Sequence, residues 1–88
     1  MSALNTYLDR KNSFSKLFGQ KALSLQVAAD RQHIADSIDA DLSPENLTCD
    51  GELSRSQVQT RYRALTAAAK ELIQLDPTVK IYEFYTGE

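Results

Sequence analysis

The chain has one cysteine, one histidine, three glycines, two prolines and no tryptophan in 88 residues. Each scarcity excludes something. Cys49 alone cannot close an internal disulfide, so packing must stabilise a chain of a size at which secreted folds usually carry several. His33 and Cys49 form a nucleophilic pair only if they meet in space, and nothing in their spacing points to it. A Cys/His zinc site lacks ligands. Three glycines are too few to write a phosphate-cradling loop. An enzyme is not expected, nor a cofactor. No apolar run approaches the ~20 residues that span a bilayer. Met1 to Asn5 turns polar at once, without the basic start and apolar stretch of a targeting segment, so a cytoplasmic protein with no membrane partner is expected.

What remains is ordinary globular material. Hydrophobic residues make up 42% and charged residues 25% of the chain, which fits one small domain over residues 1–88. The formal net charge of -2 hides a block pattern. Up to Lys21 the balance is +3, from Asp30 to Glu52 it is -6, and from Leu53 to Lys80 it is again +3. Such blocks attract one another within a monomer or across a symmetric dimer, and they steer association more than they stabilise it.

The periodicity predicts a mainly α fold: a three-helix domain with an acidic loop between helices 2 and 3 and an extended C-terminal tail. Ser2 caps a first helix carrying Leu4, Tyr7, Leu8, Phe14, Leu17 and Phe18, with a possible break near residue 12 and a stop at Gly19. The second helix is expected from about Gln20 to Ala40, its stripe being Leu23, Val27, Ile34, Ala35, Ile38 and Leu42. Leu23, Leu25 and Val27 also alternate as in a strand, and that alternative stays open. Asp41 to Leu53 is the loop, with one short capped turn at Ser43-Pro44-Glu45-Asn46 and a tight turn at Asp50-Gly51. Ser54 and Gln57 form a capping box for the third helix, with Val58, Tyr62, Leu65, Ala69, Leu72 and Ile73 as its apolar stripe. Asp76-Pro77 ends it. Residues 78–88 read as extended, rich in β-branched and aromatic side chains. They need a partner strand in 23–27 or in a second subunit, unless Tyr82 or Phe84 simply packs onto the helices.

Two constellations carry chemistry. Counting from Asp41, Ser43, Glu45 and Glu52 fall at positions 3, 5 and 12 of a calcium loop, but Asn46 replaces the glycine at position 6 and Pro44 interrupts it. An acidic turn without metal is the expectation. Arg55, Arg61 and Arg63, with Gln57 and Gln59, crowd the start of the third helix and can hold phosphates or read base edges. Against a nucleic-acid role stand the sequence pI of about 5.3 and the thirteen residues from Asp41 to Leu53, too many for a helix-turn-helix turn.

Gln57 to Pro77, with Arg61-Tyr62-Arg63-Ala64-Leu65 inside it, resembles the second helix of a J-domain co-chaperone. The family's active His-Pro-Asp is replaced by Leu75-Asp76-Pro77, which rejects that function. Leu42-Ser43-Pro44-Glu45-Asn46-Leu47-Thr48-Cys49-Asp50-Gly51-Glu52-Leu53 is similar in style to small uncharacterised proteins of bacteriophages and prophages. That likeness implies a phage-type protein acting by binding a host component. The leading expectation is therefore a protein-interaction module, expected to form a homo-oligomer, with Tyr82, Phe84 and Tyr85 as partner-binding residues. The alternative is a nucleic-acid or nucleotide-anion binder using Arg55, Arg61 and Arg63.

Overall fold

The first helix has its free amides satisfied before it packs. In the computed structural model, which describes residues 2–82, α1 spans Ala3–Leu17. Ser2 Oγ accepts from Asn5 N, and the Glu71 carboxylate accepts from Ala3 N at 3.0 Å and Leu4 N at 3.2 Å. A negative side chain from a distant helix thus sits on the positive end of α1. The far end closes with Gln20 N bonding Ser15 O and Gly19 N bonding Lys16 O, Gly19 at φ +71°. This is the double bond pattern that a left-handed glycine permits. No break occurs at residue 12. Asn12 instead turns outward and clamps Leu23, accepting from its N–H at 2.8 Å and donating to its carbonyl at 2.9 Å.

That clamp corrects the second helix. α2 spans Ala28–Leu42 and begins eight residues later than expected. Residues 20–27 are held out of the helix by side chains: Asn12 on Leu23, Asp30 Oδ2 on Ser24 N, and Arg31 donating to Leu25 O. Leu23 and Leu25 still reach the core half-buried, while Val27 is exposed. The strand alternative also fails, since no strand occurs among the described residues. The expected stripe of Ile34, Ala35, Ile38 and Leu42 is buried on α2.

The acidic connection holds a fourth helix, α3 (Pro44–Leu47), one turn long with proline at its start. After it Cys49 at φ +50°, Asp50 at +57° and Gly51 at +87° make the tight turn. α4 spans Arg55–Leu75 and starts with the full capping box: Ser54 N donates to Gln57 Oε1 at 2.8 Å and Gln57 N to Ser54 Oγ at 3.3 Å. It buries Leu65, Ala68, Ala69 and Leu72, whereas Tyr62, expected inside, is exposed. Asp76, in extended backbone before Pro77, ends it.

After Pro77 the chain runs back across α2. Val79 and Ile81 are buried while Lys80 between them is exposed. The expected ladder is supplied by side chains. Gln32 Oε1 accepts from Lys80 N at 3.0 Å while Gln32 Nε2 donates to Lys80 O at 3.1 Å, and Asp39 accepts from Tyr82 N at 2.9 Å. These backbone groups need no neighbouring strand. Tyr82 is helical where the sequence reading expected extended chain. Phe84 and Tyr85 lie outside the described residues.

Candidate interaction groove

α1 and α4 run antiparallel, with Ala3 beside Glu71 and Tyr7 and Lys11 beside the Asp41 that Arg61 approaches. Leu4 and Leu8 seal their contact. Ten residues on from Leu4, Phe14 is turned about 80° around the helix, so α1 presents a different side beyond its second turn. An open groove of about 1030 Å³ runs between the two helices, lined on α1 from Ala3 to Phe18 and on α4 from Ser56 to Leu65.

One end of the groove is aromatic. Phe14 and Phe18 line it, 63% and 69% exposed, their rings tilted against each other with centroids 5.6 Å apart, while Leu17, 80% exposed, lies outside the lining. The floor is polar. Tyr7 Oη donates to Asp41 Oδ2 at 2.8 Å and, its proton so committed, accepts from Ser37 Oγ at 2.8 Å. Lys11 Nζ lies 3.2 Å from the same carboxylate oxygen and 5.6 Å from the Tyr7 ring centroid. Burial pushes the Tyr7 phenol well above its ordinary value, and Asp41 adds to that shift. Tyr7 therefore stays a donor. Arg61 brings Nη2 to 4.0 Å from Asp41 Oδ1, and its Nε is shut from solvent with no hydrogen-bond partner.

The structure separates the expected arginines. Arg55 and Arg63 are exposed and do not line the groove, while Arg61 turns into it. By helical geometry Arg61 points about 160° away from Arg63. Tyr82 is exposed against α2. Of the calcium-loop oxygens, Asp41 turns to Tyr7 and Lys11, Ser43 Oγ donates to Ala40 O, and no group of three potential metal ligands gathers among the described residues. His33 and Cys49 are both exposed. No described helix is long and apolar enough to cross a membrane.

The residues missed at the sequence level are Phe14, Leu17 and Phe18, expected in the core, the floor group Tyr7, Lys11 and Asp41, and the exposed Arg10 on the groove's lining. Their signal was the gap from Asp9 to Ser13, where the apolar stripe of α1 changes side. The described residues form a small all-helical domain with an open trough between α1 and α4. No family model matches the chain, and neither a curated protein nor a solved structure matches it.

Proposed function

We propose that the protein is a non-catalytic interaction module that binds a partner protein through the α1/α4 groove. The observation that carries this reading is the exposed pair of Phe14 and Phe18 at the end of a groove whose floor is already organised. Adjacent exposed aromatic side chains are the anchors that interface hot spots favour. Tyr82, with Phe84 and Tyr85 beyond it, is a second contact region on this reading. The phage-type likeness of residues 42–53 supports a host protein as the partner, and a free exposed thiol at Cys49 suits the reducing cytosol. The nucleic-acid alternative needs Arg55, Arg61 and Arg63 together, and their divergence favours the protein reading.

The test is affinity capture from a host extract with the wild-type domain and with the Phe14→Ser/Phe18→Ser double variant as baits. A protein retained by the first and lost from the second is expected. Identical sets of captured proteins would remove the reading.

A further inference from the structure

We propose that the groove receives an acidic amphipathic helix of the partner, its apolar side on Phe14 and Phe18 and its carboxylates against Arg10 and Arg61. This rests on the interaction reading above and adds the partner's chemistry.

Shape argues for a helix. The α1 wall from Ala3 to Phe18 is about 22 Å long at 1.5 Å per residue, so a helix of about 15 residues spans it. Three long helices surround the core, and a guest helix between α1 and α4 takes the place of a fourth. Its residues at i, i+3, i+4 and i+7 would meet the aromatic end.

Charge selects its sign. The groove is lined by Arg10, Lys11 and Arg61 against Asp41 alone. Asp41 is already taken by Tyr7 and Lys11. Arg10 has no ion pair or hydrogen bond among the described residues. Arg61 is underused: its Nε is unbonded and its one carboxylate neighbour is 4.0 Å away. With Nε shut from solvent, a guest carboxylate would bond the Nη groups and complete the guanidinium with charge-assisted bonds. A basic or neutral helix would leave both arginines desolvated without compensation.

The probe is a displayed library of helical peptides of about 15 residues with fixed apolar positions and randomised charge. Enrichment of acidic sequences is expected. An enriched peptide should weaken by about tenfold or more with Arg10→Glu and with Arg61→Met, and its binding should fall with salt. Arg55→Gln, off the groove, should leave it unchanged. Arg10→Glu touches no internal bond, so it reads binding even if Arg61→Met disturbs the floor; circular dichroism checks both. Enrichment of basic or uncharged peptides, no enrichment, or indifference to Arg10→Glu would overturn the proposal. So would nucleic acid bound with the same Arg10 dependence, or a dimer by sedimentation that Phe14→Ser dissolves, which would make a second copy the occupant. If capture still yields a Phe14-dependent protein while the library is silent, only the acidic helix falls; if both fail, the interaction reading falls with it.

Discussion

At one end of the molecule α2, the later turns of α4 and residues 79–81 enclose Ile34, Ile38, Leu72 and Ile81, each at most 1% exposed, against Ala68 and Ala69 at 0%. At the other end the last turns of α1 and the first turns of α4 leave Phe14, Leu17, Phe18 and Tyr62 in water. Both ends are equally well-formed helix. The open end has the complete capping box of α4 and the paired termination bonds of α1, while the closed end has Asp76 and the Glu71 carboxylate. Capping and propensity therefore suffice to shape the open helices, and what separates the ends is a third element to cover their apolar sides. The closed end has it in Val79 and Ile81, pinned by Gln32. At the open end residues 20–27 and α3 pack beside the helices but leave Phe14, Leu17 and Phe18 exposed, so this apolar surface is available to a partner.

The largest effect expected separates the two ends directly. Ile38→Ala removes buried methyl groups from a packed site and should lower unfolding free energy by about 2–5 kcal/mol in a urea titration. Phe14→Ser removes a larger side chain but one already hydrated, and should change it by about 0.5 kcal/mol or less. A loss at Phe14 comparable to that at Ile38 would make the open end part of the core and break the comparison.

The closed end was largely legible in the sequence because its residues repeat with the helical period: Ile34, Ala35, Ile38 and Leu42 on α2, and Leu65, Ala69 and Leu72 on α4. Ser2, Ser54 with Gln57, and Asp76-Pro77 marked ends correctly because a cap is a local device. The start of α2 was not legible, since it depends on Asn12 reaching Leu23 across eleven residues. The tail was half legible. Its β-branched and aromatic composition was plain, but the inward packing of Val79 and Ile81 instead of Tyr82 was not, and the side-chain amide that holds Lys80 lies forty-eight residues away. The groove was least legible. It arises from the angle between stripes on two helices, and Arg61 changed meaning once Asp41 stood opposite it. Tyr62 and Arg61 are sequence neighbours, and only packing decides which turns inward.

A smaller effect tests whether the closing segment is held from the side. Gln32→Ala deletes both bonds to Lys80, an acceptance at 3.0 Å and a donation at 3.1 Å. The expected loss is about 1–2 kcal/mol, because each bond is exposed and water partly replaces it. Hydrogen exchange should show the Lys80 amide losing protection before the α4 interior does. If Lys80 keeps its protection, burial of Val79 and Ile81 alone holds the segment, and the closed end owes its closure to packing without the amide.

The smallest effect concerns acid. Thr78 donates to Asp76 Oδ1 from its hydroxyl and from its N–H at 3.0 Å, and Arg31 Nε donates to Oδ2 at 2.7 Å. The Thr78 bonds first and Arg31 second hold this carboxyl at about 2, below the ordinary value of about 3.9. The unfolded chain thus takes up this proton at higher pH than the folded one. The contribution of Asp76 to stability is full above about pH 4 and disappears as the pH falls to about 2. The quantity that isolates Asp76 is the gap in urea midpoint between wild type and Asp76→Asn. It should be widest near about pH 5 and close progressively below about pH 4. Phe14→Ser, with no titrating group at its site, should run parallel to wild type throughout. An Asp76→Asn gap unchanged at low pH would mean that the hydrogen bonds act without the charge, leaving the Arg31–Asp76 pair no part in closing this end.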